Sequence, residues 1–484
     1  MRRILAGIET EYGLLVEGRG AEDQVDEAMA LVRSYPGERF SVWDYRHESP
    51  RADLRGFHVD RLSVDPVDLQ FDEGRDQNRP HDVRSDQILI NGARFYNDHG
   101  HPEYATPECW TLADLADRDR EGERVIWETA RTYASKTGRT VKIYKNNTDF
   151  HGASYGTHES YLVPRSLGVK ALATAVLPIL VVRPLLTGAG KVGSESGAWA
   201  NFQLSQRADF FSEVMSADTL YRRPIFNTRD EPHADPEKWI RLHVISGDAN
   251  MIAACTRRKV ALVKLAISLA EIGGAPEWEI RNPVRAIQDV SRDLEFQPKI
   301  ELAGRSWTNP MEILESYFAA AERLLDLDEE LRFEIESSRE ILQLLEKGNW
   351  RDAADRVDWA AKRSLLDDAN QEGVDWKDAM MRAYDLEYHN VDPDEGLFHA
   401  LESMGQIQPD PEFILGHPSR AFVRGLAIER FGSSIHTVCW RSITFRLNDR
   451  LIEVELMPDV DYPRDLASIQ DVESFIETVR GKNE

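Results

Sequence analysis

ILAGIETEYG, residues 4–13, and DQILINGARFYND, residues 86–98, are the stretches on which the reading of the fold turns. Both read as strands. Successive side chains of a strand point to opposite faces, so Glu9 and Glu11 leave one face of the first with Cα atoms about 7 Å apart. In the second, Leu89 and Phe95 share one parity, while Arg94, Tyr96 and Asp98 share the other. An isolated pair of glutamates is ordinarily a solvated strand face. Five polar groups on two strands describe a lined cleft instead. HPEYATPE, residues 101–108, brings Glu103 and Glu108 to the same strand end. Oxygen-rich sites of this kind suit Mg²⁺ or Mn²⁺, hard ions that keep water and bridge nucleotide phosphates. Farther on, Arg207 in QLSQRAD, Arg229 in NTRDEPHAD, and Arg241 with His243 in RLHV offer positive charge to phosphates. The plain alternative for each arginine is a surface salt bridge. His158 in SYGTHESY and His243 are candidates to ligate metal or orient phosphate.

Around these stretches the chain reads as a large folded protein. Its 484 residues are 42% hydrophobic and 30% charged, and 59 Lys plus Arg against 84 Asp plus Glu leave a net charge of −25. That balance disfavours nonspecific nucleic-acid binding, which needs clustered cations. Cys109, Cys255 and Cys439 form no CxxC pair, so neither a disulfide framework nor a zinc site is expected, and a cytoplasmic location is. MRRILAGIETEYG reaches Glu9 before an apolar core can develop, and no signal peptide is expected. The apolar run Ala171 to Val182 is too short for a membrane span and reads as a buried helix.

Helices are expected near Ala21 to Arg33 and Leu112 to Lys136, and a strand pair near Trp199 to Glu213 and Arg241 to Ser246. Arg46 to Ser85, charged and punctuated by Pro50, Pro66 and Pro80, reads as a long mobile excursion. TGAGKVGSESG, residues 187–197, lacks the GxxxxGK[ST] pattern of a phosphate loop. Asn309, Pro310 and Glu312 form a helix start opening a mainly helical region to about Leu401. The prolines at 409, 411 and 418 mark a boundary, beyond which a helix (Ser419 to Phe431) and a hairpin turning at Asn448-Asp449 are expected.

Taken in order, GIETEYG (7–13), NGARFYNDHGHPEYATPE (91–108), YKNNTDFHGASYGTHESYLV (144–163), QLSQRAD (203–209), NTRDEPHAD (227–235), RLHVISGDANM (241–251), NPVRAI (282–287) and RAFVRG (420–425) resemble the Pup ligase and Pup deamidase family. This family is a branch of the carboxylate-amine ligases related to glutamine synthetase and glutamate-cysteine ligase. The resemblance implies an α+β fold: a glutamine synthetase-like curved antiparallel β-sheet packed by helices, with a small C-terminal α/β domain. The catalytic domain would be 1–410, with a flexible loop about 46–85, and the small domain 411–484. By position, the resemblance implies that Glu9, Tyr96 and Glu103 ligate Mg²⁺, that Arg94, Thr106 and Trp440 contact ATP, and that Asp98 is the catalytic aspartate. Glu11, His158, Arg207, Arg229 and His243 would complete the metal and phosphate site.

Two activities share such a scaffold. The ligase uses ATP to join the C-terminal glutamate of Pup, a small disordered protein tag, to a substrate lysine; the deamidase converts a C-terminal glutamine of Pup and hydrolyses the Pup–lysine isopeptide bond. The roughly 80 positions from Glu9 to Asn91, the stretch WDYRHESPRADLRGF (43–57) and FQLSQRAD (202–209) resemble the hydrolytic branch, whereas GIETEYG is nearer the ligase form. A small-amine γ-glutamyl ligase and a non-catalytic scaffold remain alternatives; the scaffold would be marked by loss of Asp98 or Glu9, and both are present. The expected partners are Pup or a Pup-like tag and pupylated proteins, with no nucleic acid and no membrane, on a monomer. Arg222, Arg223 and the Arg257-Arg258-Lys259 cluster are candidates for the tag groove.

Overall fold

Alternation along each strand decides which face carries chemistry and which carries the core. The protein is described by a computed structural model covering residues 2–60, 83–149, 152–197, 199–219, 223–297, 299–413 and 416–483. The first stretch forms β1 (Ala6–Glu11), whose Ile8 enters the main hydrophobic core while Glu9 and Glu11 face away from it. Six more strands join it: β2 (Arg39–Phe40), β3 (Gln87–Leu89), β4 (Arg94–Asp98), β5 (His101–Ala105), β6 (Thr157–Pro164) and β7 (Trp239–Val244). Their order is β7-β6-β1-β5-β4-β3-β2, and every neighbouring pair is antiparallel.

Helices α1 (Gln24–Arg33) and α2 (Leu112–Thr137) back β4 and β5 through Phe95 and Tyr104. Helices α3 (Val169–Val182) and α4 (Ala253–Glu271) back β1, β6 and β7 through Ile8, Val163, Leu242 and Val244. Each such side chain stabilises by about 1.5–3 kcal/mol when fully buried, so the apolar parity is fixed and the polar parity is forced onto the open face. Among the described residues no helix is long and apolar enough to cross a membrane. Asn309 caps the helix Pro310–Leu324 as expected, its side chain accepting from Glu312 N at 2.9 Å.

Several expectations are corrected. Residues 86–98 do not form one strand but the β3–β4 hairpin, closed at Asn91-Gly92. Gly92 has φ +85°, and Asn91 Oδ1 accepts from Ala93 N at 2.9 Å. An Asn-Gly pair between apolar runs is a hairpin signal, and here it prevails over the continuous strand pattern. Residues 199–213 do not pair with 241–246. Phe202–Gln203 pairs with Lys191–Val192, Glu213–Ser216 runs parallel to Pro224–Asn227, and β7 takes β6 as its neighbour. The reason is that Ser205 and Gln206 bury their side chains in loop hydrogen bonds: Ser205 donates to Asp248 at 2.9 Å, and Gln206 accepts from Asn147 N at 2.7 Å.

Within the stretch 46–85, residues 46–60 make defined contacts with the rest of the chain. Buried Asp53 ties them down by accepting from Thr228 Oγ1 at 2.6 Å and from Arg55 at 2.8 Å; the part at 61–82 lies outside the described residues, as does Arg222. Arg257, Arg258 and Lys259 are not a surface groove. They are buried in α4, where Arg257 pairs with Glu334 at 3.0 Å, Arg258 donates to Ser337 at 3.1 Å and Lys259 donates to Asp248 O at 2.8 Å.

The last part of the chain builds a second core. Helix α5 (Arg420–Phe431), strands β8 (Ile435–Val438), β9 (Ser442–Leu447) and β10 (Arg450–Glu455), and helix α6 (Val472–Asn483) pack around Phe445 and Phe475, with Trp43 and Ile88 added from the first part. The β9–β10 turn holds Asn448 and Asp449 at φ +49° and +60°, as its sequence predicts. Trp440 lies in the turn between β8 and β9 rather than in the hairpin itself. Helix α5 crosses the Ile90–Gly92 turn at the closest backbone approach of this region: a Cβ on Gly92 would sit 2.2 Å from Ala421 O, and one on Gly425 2.2 Å from Ile90 O. Arg424 donates to Gly92 O at 2.8 and 3.0 Å. Glu108 is held by Arg420 at 2.7 Å and Arg424 at 2.5 Å, so it anchors this helix rather than joining the carboxylates of the sheet.

Candidate active site

Strand register converts the polar parities into one site. Glu11 lies opposite Glu103, which lies opposite Tyr96; Glu9 lies opposite His158, and Ser160 opposite His243. Five adjacent strands thus present one polar face to a cavity of about 1040 Å³. Every residue to which the resemblance assigns a place in the site, except Thr106, lines it: Glu9, Glu11, Arg94, Tyr96, Asp98, Glu103, His158, Arg207, Arg229, His243 and Trp440. Thr106 lines an adjoining cavity of about 510 Å³, more apolar in its walls, which shares Glu9, Arg241 and Trp440 with the first. Its hydroxyl accepts from Ile8 N at 3.0 Å.

The carboxylates fall into two groups. Glu11, Asp98 and Glu103 each offer an oxygen within 4.8 Å of the others, and Glu9, His158 and His243 do the same with one oxygen and two nitrogens. Burial, then the charges of Asp98, Glu11 and Glu9, push the Glu103 carboxyl well above its ordinary range. Glu103 Oε1 accepts from the Tyr96 hydroxyl at 2.6 Å, while the buried Oε2 has no hydrogen-bond partner among the described residues. An orphaned oxygen among crowded carboxylates is what a hard divalent cation would satisfy, so the residues present fit Mg²⁺. Burial and the neighbouring Glu103 push the Tyr96 phenol well above its ordinary value, so Tyr96 reaches this group as a proton donor.

Asp98 behaves oppositely. Burial works to raise its pKa, but His99 and Arg84 outweigh it and hold the carboxyl well below the usual range. For Glu9, burial is likewise outweighed, by a hydrogen bond with His158 and the charge of Arg241, and the pKa ends lowered. Burial and the adjacent Arg241 keep His243 neutral, and Arg241 Nη1 lies 3.1 Å from its Nδ1, which therefore accepts.

The facing wall is cationic. Arg207 is buried, with Nη1 donating to Ile245 O at 2.6 Å and Nε to Ser154 Oγ at 3.3 Å, and no carboxylate pairs with it among the described residues. Burial and then Arg223 lower its pKa to about 10, which leaves it charged at neutral pH. Arg229 and Arg241 stand 3.9 and 3.6 Å from Glu231. Arg94 is fixed by a 2.7 Å pair with Asp86 and lies over the rings of Trp43 and Tyr96 at 4.2 and 4.0 Å. Sequence reasoning missed Arg84, Trp43, Tyr45 and Asp86, which sit at the two ends of the charged excursion and follow no strand period.

The Pup-ligase protein family model matches residues 3–444. The depupylase of Acidothermus cellulolyticus is 36% identical over 473 residues, covering 93% of this chain and 92% of that one. The Pup deamidase/depupylase of Mycolicibacterium smegmatis is 35% identical over 476 residues, covering 94% of each. The Pup–protein ligase of Corynebacterium jeikeium is 39% identical over 341 residues, covering 66% of this chain and 73% of that one. Among solved structures, the complex between Pup and its ligase PafA superposes with a TM-score of 0.78 at 28% identity over 99% of this chain and 93% of that one. PafA in complex with ADP gives 0.73 at 28% identity over 88% of this chain and 96% of that one. The architecture is therefore the glutamine synthetase-like α+β fold that the resemblance implies.

Proposed function

The chain belongs to the Pup-ligase family, and on that premise we propose that it works on the hydrolytic side: it deamidates the C-terminal glutamine of a Pup-type tag and hydrolyses the isopeptide bond between such a tag and a lysine. Coverage in sequence alignment carries this reading. Relatives named depupylase or Pup deamidase align over 93–94% of the chain, whereas the ligase of C. jeikeium aligns over 66%.

In this reading the cofactors are ATP and Mg²⁺. Glu9, Glu11 and Glu103, with His158 and the Tyr96 hydroxyl, are the groups that would hold the cations. Arg207, Arg229 and His243 would meet phosphate, and Arg94, Thr106 and Trp440 the rest of the nucleotide; a related ligase has been solved with ADP. A cation bound there would supply Lewis acidity and compensate the crowded negative charge. The chain's own groups do the remainder. Asp98, held ionised, orients the attacking water and accepts its proton. The water oxygen bonds to the amide carbon, Asp98 returns the proton it took from the water to the departing nitrogen, the C–N bond breaks, and ammonia or the lysine amine leaves. The guanidinium wall stabilises negative charge that develops on the carbonyl oxygen.

The test is to incubate the protein with ATP, Mg²⁺ and Pup ending in glutamine, and to follow by mass spectrometry the replacement of amide nitrogen by oxygen. Conversion that is lost in Asp98→Asn is the expected result. ATP-dependent attachment of the glutamate form to a protein lysine, without deamidation, would make the protein a ligase instead, and activity on free glutamate and small amines would make it a γ-glutamyl ligase.

A further inference from the structure

Two roles compete for Asp98. One of its oxygens lies within 4.8 Å of oxygens from Glu11 and Glu103, so the three carboxylates can close on a single cation. A carboxylate spent on a cation is not free to act on substrate. Yet both oxygens of Asp98 already have cationic or histidine neighbours: Arg84 Nη1 donates to Oδ1 at 2.7 Å, and His99 Nδ1 stands 3.2 Å from Oδ2.

The grip is built into the backbone. Arg84 O accepts from Asn97 N at 2.7 Å, and Val83 O accepts from Asn97 Nδ2 at 2.7 Å, so residues 83 and 84 are stapled to the end of β4 that carries Asp98. Ser85 beside them is buried in a left-handed conformation, φ +54°, and Asp86 pairs with Arg94 at 2.7 Å. The Arg84 guanidinium is thus delivered to Asp98 by a short rigid segment and does not reach it by chance from solvent. Charge-assisted hydrogen bonds of this type are the stronger class, and partners one step removed from a metal orient its ligands.

We infer that Arg84 is a positioning residue that holds Asp98 out of the cation's coordination shell and aims it at the substrate. The inference rests on the reading of Asp98 as the catalytic aspartate, and its test separates the two. Mn²⁺ binding to the full-length protein is measured by the loss of the free-ion electron paramagnetic resonance signal, alongside kcat and KM for glutamine-terminated Pup, in Arg84→Gln, Arg84→Lys, Asp98→Asn and the Arg84→Gln/Asp98→Asn double variant.

Arg84→Gln is expected to bind Mn²⁺ more tightly and to lose kcat by about 10–100-fold with KM little changed. A general loss of folding would instead weaken Mn²⁺ binding. Arg84→Lys keeps the charge without the planar fork and is expected between wild type and Arg84→Gln on both measures. In the Asp98→Asn background, Arg84→Gln should leave Mn²⁺ affinity unchanged, because the released carboxylate is absent. Equal tightening in that background would assign the effect to loss of a positive charge alone and overturn the inference. So would wild-type kcat in Arg84→Gln, or a Lys variant identical to wild type on both measures. Full activity in Asp98→Asn alone would overturn the catalytic reading instead.

Discussion

Lys264, on the buried side of α4, carries a charge that the fold opposes. Its ammonium donates to Trp110 O at 2.8 Å. Burial lowers its pKa from the ordinary 10.5 to about 8, with the charge of Glu330 opposing in part. The unfolded chain keeps this proton up to its own, higher pKa, so between about pH 8 and pH 10.5 the unfolded state binds more protons and stability rises with pH. The gap between the two values corresponds to on the order of 3 kcal/mol. Urea unfolding of the wild type should therefore gain on that of Lys264→Met as the pH is raised from 8 to 10, and a difference between them that is flat with pH would refute this account. Residue by residue, the candidate site is legible where the strand period carries it: Glu9 with Glu11, and Arg94 with Tyr96 and Asp98, share faces by counting alone. Arg207 has no such neighbours and is legible only through the block QLSQRAD. Arg84 is not legible, since nothing local says that a charged segment ends by gripping Asp98. Arg257, Arg258 and Lys259 are misread as surface because their partners, Glu334, Ser337 and Asp248, are remote in sequence.

At the scale of elements, register does what periodicity cannot. Counting by two places Glu11 and Glu103 on open faces, but only the antiparallel pairing of β1 with β5 sets them side by side. The same limit explains the misread strand at 199–213, where buried loop hydrogen bonds prevail over an extended-looking pattern. The hairpin turn under α5 offers a direct test. Gly92→Ala places a Cβ at φ +85° and 2.2 Å from Ala421 O, whereas Gly138→Ala places one at φ +70° with nothing within 4 Å. Left-handed strain costs each about 1–2 kcal/mol. Collision is added only at Gly92, so Gly92→Ala should lose clearly more stability to denaturant than Gly138→Ala and should also weaken nucleotide binding, because Trp440 follows α5. Equal losses would show that the crossing tolerates the methyl group.

Over the whole molecule, the clustered carboxylates hold negative charge on one face of the sheet, and the Glu103 carboxyl registers it by its raised pKa. Mg²⁺ or Mn²⁺ should raise the melting temperature, and a chelator should reverse the gain. At a hundredfold excess over Kd the stabilisation is about 2.7 kcal/mol, and Glu103→Gln should abolish most of it; an unchanged shift in that variant would move the cation elsewhere. The crossing of α5 over the Gly92 turn bears finally on how the protein is born. A ribosome that has reached residue 400 has already released both carboxylate clusters and the arginine wall, and domains take shape as they emerge. Trp440, which lines both cavities, and Arg420, which lines the smaller one, are still unmade. Unfinished chains therefore carry the acids of the site while part of the wall around them has yet to be made.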